Sequence, residues 1–202
     1  MLTQSQIKKL SYLNKKIQSC HKCKNLWRNG KAFPYFTKFS QLLAIAEGPG
    51  KEEVQEDYQT PLIGKAGRLL FRELGRKEIN LKRKDFMILN TVQCRPVIDG
   101  KNGKPSLEEI ENCKFWTSKY IEIFSPEIII AFGNYALNYF FEDNLGITKE
   151  SGFVRHLDNG TKVIPCLHPA SLLYSSDNLS LFRHSLKVFK EETIKAHILN
   201  SV

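Results

Sequence analysis

The sequence predicts an α/β fold with a central four-stranded parallel sheet flanked by helices. Two observations carry that prediction. Four short apolar runs, Leu42 to Ala46, Phe86 to Leu89, Glu127 to Phe132 and Lys162 to Cys166, suit strands buried on both faces. Segments with helical spacing lie between them, and strands alternating with helices build parallel sheets. The chain has 202 residues, 42% hydrophobic and 11% aromatic. That is enough for a real core, so one domain over 1–202 is expected.

The elements follow in order. Thr3 to about Ser19 reads as a helix, opened by a Thr3/Gln6 capping box and carrying Ile7, Leu10, Leu13 and Ile17 at helical spacing. The stretch from Cys20 to Ser40 is irregular, broken by Gly30 and Pro34. A helix over Gly67 to Leu74 carries Leu69, Leu70 and Leu74. Ser106 and Glu109 cap a helix that runs to Phe124. Asn134 to Phe141 is aromatic and apolar, and Leu179 to about Ile198 forms the last helix.

Ligands of parallel sheets bind beyond the carboxyl ends of the strands. Glu47-Gly48-Pro49-Gly50 follows the first strand, Asn90 the second, Gly133-Asn134 the third and His168-Pro169 the fourth. A carboxylate, a carboxamide and an imidazole thus converge on one rim, as a catalytic or binding site requires. Bland readings stand beside this one. Glu47 also suits a helix N-terminus, Asn90 a turn, and His168 an ordinary loop histidine.

The formal net charge is +9 and the pI about 9.3. A balance this basic suits a polyanionic partner such as nucleic acid, because each neutralised phosphate releases counterions. The N-terminal residues lack a signal pattern, and no apolar run approaches the roughly 20 residues that span a bilayer. The expectation is a cytoplasmic protein with no membrane partner. Five cysteines in such a chain favour metal binding, catalysis or burial over disulfides. Cys20 and Cys23 form a C-x-x-C, Cys94 and Cys113 are singletons, and Cys166 reads as core. From spacing alone, metal or cluster binding and plain burial stay open for the singletons.

These motifs together resemble family 4 of the uracil-DNA glycosylases. Glu47-Gly48-Pro49-Gly50 with Pro61-Leu62-Ile63-Gly64-Lys65-Ala66-Gly67 is similar to that family's first motif. Asn90-Thr91-Val92-Gln93-Cys94-Arg95-Pro96 resembles its Asn-x-x-x-Cys-Arg-Pro segment, and His168-Pro169-Ala170-Ser171-Leu172-Leu173 its third motif. The resemblance covers about residues 3 to 190. It implies a three-layer sandwich and a monofunctional enzyme that hydrolyses the N-glycosidic bond of uracil in DNA. It implies catalytic roles for Glu47, Asn90 and His168, and a base pocket of Gly48, Pro49, Gly50, Leu62 and Asn90. It also implies DNA contacts from Ser171, Leu172, Leu173 and Arg95, with Leu172 or Leu173 as a wedge. Finally, it implies a [4Fe–4S] cluster on Cys20, Cys23, Cys94 and Cys113, in a monomer acting on single- or double-stranded DNA.

The sequence departs from the family around the pocket. Leu62 stands where a phenylalanine normally stacks on the flipped base, and stacking is worth about 1–3 kcal/mol. Tyr58, in a stretch about two residues longer than the family's, is a candidate to supply the missing ring. Val97 to Pro105 replaces a shorter turn, Tyr174 stands where arginine is common, and Ala46 replaces an opening glycine. Two alternatives to uracil excision follow. One is a glycosylase for a modified or enlarged pyrimidine, in damaged or foreign DNA. The other is an iron–sulfur DNA-binding protein without turnover, against which the joint presence of Glu47, Asn90 and His168 argues.

Overall fold

The structure is a computed structural model that describes residues 1–175 and 177–198. The four expected strands form as β1 (Leu42–Ala46), β2 (Phe86–Asn90), β5 (Ile128–Phe132) and β7 (Lys162–Cys166). All four pair in parallel, in the order β2-β1-β5-β7. Every residue of β1, β2 and β5 is buried, which is why these strands read as unbroken apolar runs rather than alternating ones.

The sheet has five strands, not four. Arg155–His156 (β6) pairs antiparallel with β7 at the edge. The Asp158-Asn159-Gly160 turn folds this strand back, and Leu157 N–H donates to the Thr161 carbonyl at 2.9 Å. Two residues are too short to show a hydrophobic period, so this strand left no sequence signal. A second addition is the hairpin of β3 (Val97–Ile98) and β4 (Lys101–Asn102).

Two groups of helices cover the sheet. In the first, α1 (Gln4–Gln18) packs on α3 (Leu107–Phe124), where the Tyr120 hydroxyl donates to Asn14 at 2.7 Å. The short α4 (Gly133–Phe140) joins α3 through a Ser118–Tyr139 hydroxyl pair at 2.7 Å. The second group holds α2 (Lys65–Leu74) and α6 (Leu179–Lys195). Phe71 meets Phe86 edge-on, and Phe86 stacks on Phe189 at 5.9 Å. The buried Glu73 carboxylate accepts from the Arg183 guanidinium at 2.7 and 3.3 Å, so the two helices share one ion pair. A four-residue helix, α5 (Ile147–Glu150), fills the gap before β6. Helix α2 begins two residues earlier than expected, and both capping boxes, Thr3/Gln6 and Ser106/Glu109, form.

The irregular stretch after α1 is tied to the sheet side. Tyr35 pairs with Ile88 and Lys31 with Cys94 in isolated antiparallel bridges. Lys31 is buried, and its ammonium donates to the carbonyls of Ile17, Gln18 and Cys20 at 3.2, 2.7 and 2.7 Å. It therefore caps the end of α1 and fixes where Cys20 begins. Among the described residues, no helix is long and apolar enough to cross a membrane.

Candidate active site

A cleft of about 420 Å³ opens at the carboxyl ends of the strands. Glu47, Gly48, Pro49, Gly50, Leu62 and His168 all line it, joined by Leu173 and Tyr174. The ends of β1 and β7 thus contribute to one surface through Glu47 and His168, whereas Asn90 at the end of β2 does not line it. The size falls in the usual range for small-molecule sites.

Glu47 sits at the end of β1 against the start of α4. Burial pushes its carboxyl above the ordinary value of 4.5. The Tyr135 N–H, the Lys104 charge and the Asn134 N–H hold that rise back. Gly133 makes the arrangement possible. It has φ +85°, and a Cβ there would lie 2.3 Å from a Glu47 carboxylate oxygen. Glu47 is thus both a partner of a helix N-terminus and a wall of the cleft.

His168 follows β7. Its Nδ1 accepts from the Ala170 N–H at 3.2 Å, which assigns the proton to Nε2. Desolvation lowers its pKa to about 4. The ring is neutral near pH 7 and presents an N–H donor rather than a cation.

Asn90 ends β2 and is 1% exposed. It is not among the residues that line the cleft surface. Its backbone carbonyl accepts from Gln93 Nε2 at 2.6 Å and from Thr117 Oγ1 at 3.4 Å. Its side-chain Nδ2 is buried without a partner, as is Gln93 Oε1. Orphaned buried polar atoms are uncommon and costly, about 1–3 kcal/mol each.

The far wall rests on a residue that motif reading missed. Glu53 is buried, and its carboxylate accepts from the Gly50 N–H at 3.1 Å. Burial raises its pKa, while the N–H groups of Gly50, Gly64, Leu62 and Ile63 act against the rise. Glu53 thereby joins the Gly48–Gly50 turn to the Pro61–Gly64 segment. The Arg83 guanidinium closes that segment from behind, donating to the Leu62 and Pro61 carbonyls at 2.9 and 2.6 Å. Leu62 itself is buried with φ +55°, a strained conformation for a branched side chain. The only signal for Glu53 in the sequence was a carboxylate three residues after a glycine turn.

The remaining predicted residues divide. Leu173 is 45% exposed at the cleft, whereas Leu172 packs against the core. The Ser171 hydroxyl donates to the His168 carbonyl at 2.8 Å and so steadies this turn. Arg95 Nε donates to Asn102 Oδ1 at 2.7 Å, at the root of the β3–β4 hairpin. Tyr58 is not in the cleft lining, so it does not supply the missing ring. Tyr174, 91% exposed, is the aromatic side chain that lines the cleft.

Cys20, Cys23, Cys94 and Cys113 line a second, apolar cavity between the end of α1, the segment after β2, and α3. Trp116 Nε1 donates to Cys20 Sγ, and the Gln93 N–H to Cys113 Sγ, both at 3.4 Å. Burial pushes the Cys94 and Cys113 thiols up to about 12. No three His, Cys, Asp or Glu side chains among the described residues converge on a single-ion site. Cys166 is fully buried in the core, as expected.

Comparison with known proteins places the chain in a family. The model of the uracil DNA glycosylase superfamily matches residues 33–191. The chain belongs to the uracil-DNA glycosylase superfamily. A type-4 uracil-DNA glycosylase of Thermotoga maritima is 36% identical over 140 residues, covering 69% of each chain. Type-4 uracil-DNA glycosylases of Sulfurisphaera tokodaii and Archaeoglobus fulgidus are each 29% identical. The first match covers 92% of this chain and 85% of the relative, the second 79% and 81%. The superfamily match includes the strand ends that carry Glu47, Asn90 and His168.

Proposed function

We propose that this chain is a monofunctional glycosylase that hydrolyses the N-glycosidic bond of uracil in DNA and leaves an abasic site. The observation that carries the proposal is the cleft joining the Glu47 carboxylate to the neutral His168 ring, with the unpaired Asn90 amide at the neighbouring strand end. The relatives' name supplies the base and the polymer.

The residues divide the work. The glycosidic carbon is out of reach inside a duplex, so the nucleotide must leave the stack. Gly48 and Gly50 let the backbone come close to it. Asn90 reads the pyrimidine edge: Nδ2 donates to O4, and Oδ1 accepts from N3–H. An orphaned buried donor is what such a reader leaves when no base is present. Cytosine presents the opposite pattern and would leave both groups unpaired. As the C–N bond breaks, its electron pair moves onto the base, and the His168 Nε2–H donates to the O2 where that charge gathers. The sugar becomes oxocarbenium-like. Glu47 steadies that cation and orients the water whose oxygen bonds to the sugar carbon; the carboxylate takes up the proton the water loses, and that proton ends on the departed base anion, giving neutral uracil. Leu173 is the wedge that fills the vacated stack.

The four cysteines fit an iron–sulfur cluster better than a single metal ion. One ion needs four sulfurs about 2.3 Å from one point. A cubane instead offers one iron per thiolate at separate corners, which suits four thiols spread around one cavity. Thiols this deeply buried do not ionise without a neighbouring cation, and two of the four receive N–H donors. The cluster's part is to tie α1, Cys94 and α3 together. The enzyme acts as a single-domain cytoplasmic monomer on single- or double-stranded DNA.

A second reading is favoured by one residue. Leu62 offers no flat face to a base, so the same site suits a modified or enlarged pyrimidine. Asn90→Ala tests the base-reading role. Uracil excision, read by alkaline cleavage of an oligonucleotide, is expected to fall by more than about tenfold with DNA affinity nearly unchanged. An unchanged rate removes Asn90 from the reading. Anaerobically purified protein is expected to carry iron and acid-labile sulfide, about four of each per chain. Stoichiometric zinc without iron would refute the cluster.

A further inference from the structure

The β3–β4 hairpin lies against the cleft. Asp99 and Gly100 both have left-handed backbones, φ 50° and 74°, as a two-residue hairpin turn needs. The root is held on both sides. Gly103 N–H donates to the Pro96 carbonyl at 2.9 Å, and the Arg95–Asn102 bond crosses the base of the hairpin. Pro96 packs on Gly48, where an added Cβ would meet Pro96 Cδ at 3.2 Å. Asn102 faces Gly50, and Pro96, Asn102, Gly103 and Pro105 all line the cleft. The hairpin is therefore one part of the rim of the cleft, and Leu173 and Tyr174 are another.

Its charge is one-sided. Arg95, Lys101 and Lys104 stand against a single acid, Asp99. Lys101 and Lys104 are exposed, and among the described residues neither they nor Arg95 form an ion pair. The Lys104 charge is near enough to act on Glu47. At about 3.3 Å per extended residue, Lys101 lies one step and Lys104 two steps from the cleft-lining Asn102. Neither lysine lines the cleft itself, and unpaired cations just outside it suit the phosphates of a strand whose base has entered. Elsewhere on the lining, Leu173 and Tyr174 are exposed, groups suited to bases rather than phosphates.

We infer that the β3–β4 hairpin is a phosphate clamp, in which Lys101 and Lys104 grip the backbone of the target strand beside the extruded nucleotide. This rests on the glycosylase reading and adds a binding element to it. Its work is to hold the strand against the rim while the base occupies the cleft.

The test measures binding of the full-length protein to an oligonucleotide with an abasic site, single-stranded and duplex, as salt is varied. Each phosphate contact contributes about 0.7 to the log–log salt slope for single strands and about 0.9 for duplex. The double variant Lys101→Ala/Lys104→Ala is expected to lower the slope by about 1.4 and about 1.8 respectively, and to raise KM on uracil-containing DNA. Lys101→Arg/Lys104→Arg is expected to restore the slope. Lys119→Ala/Lys187→Ala removes the same charge away from the cleft and controls for net charge. A hairpin variant whose slope matches the wild type, or falls no further than this control, overturns the clamp. If the wild type neither binds these oligonucleotides nor excises uracil, the glycosylase reading fails instead.

Discussion

At the residue scale, Glu47 and His168 face the same cleft with opposite protonation logic. Burial raises the Glu47 pKa above 4.5 and lowers that of His168 to about 4. On the proposed mechanism the ionised carboxylate and the neutral imidazole are the active forms. Activity is therefore expected to rise with pH through the elevated Glu47 pKa and then stay level to neutrality. His168, already neutral there, adds no step between pH 5 and 7. A pH profile of single-turnover excision checks this, and Glu47→Gln is expected to abolish the acid limb along with most of the rate. An acid limb centred near 6.5 would assign the titration to an unperturbed histidine instead. The stability signs differ as well. Because the folded Glu47 pKa is raised, the fold loses stability as pH rises from the unfolded value through the folded one. Glu47→Gln should thus be no less stable than the parent, as expected where function opposes stability. For His168 the unfolded chain binds the proton more tightly, so its contribution is lost as pH falls from about 6.5 to about 4. Glu47, Asn90 and His168 stood out in the sequence as candidates because each lies at, or within two residues of, the end of a buried strand. Glu53 was not, because a carboxylate in a loop looks solvated until the N–H groups around it are located.

At the element scale, the cleft depends on how closely two segments approach. A Cβ on Gly67 would lie 1.9 Å from the Leu62 carbonyl oxygen and 2.8 Å from Leu62 Cα. The first turn of α2 therefore presses on the segment that Glu53 and Arg83 hold. Gly67→Ala must push Leu62 outward or shift the helix, since the clash is with backbone. It is expected to destabilise the protein by about 1–3 kcal/mol. That corresponds to a Tm drop of roughly 2–4 °C per kcal/mol, with uracil excision falling further than stability explains. A thermal melt and an excision assay on the same preparation check it, and an unchanged variant would mean the segment is not held. The parallel strands and long helices were legible because periodicity and caps repeat over many residues. The hairpin and β6 were not, because two-residue strands carry no period. The Asp99-Gly100 pair signalled a turn, but its flanks lack the apolar alternation that marks a hairpin.

At the scale of the whole molecule, the fold brings the ends of four strands, the cysteine cavity and a basic surface into one arrangement. The chain carries a formal charge of +9, as the proposed polyanionic substrate requires, and the exposed Lys101 and Lys104 flank the cleft-lining Asn102 in sequence. The cysteine cavity adjoins the same segments, since Gln93 donates to both Asn90 and Cys113. The identity of the base is the property least legible in the sequence. On the proposed reading it turns on Leu62, since a single side chain in the cleft lining can change without altering the fold. The measurement that tests the account most directly is excision from a panel of otherwise identical oligonucleotides carrying uracil, cytosine, thymine or a 5-substituted uracil, single-stranded and duplex. The account predicts an alkali-labile abasic site at uracil and none at cytosine. Intact uracil oligonucleotide after incubation with iron-loaded protein, with or without cleavage at another base, would contradict it.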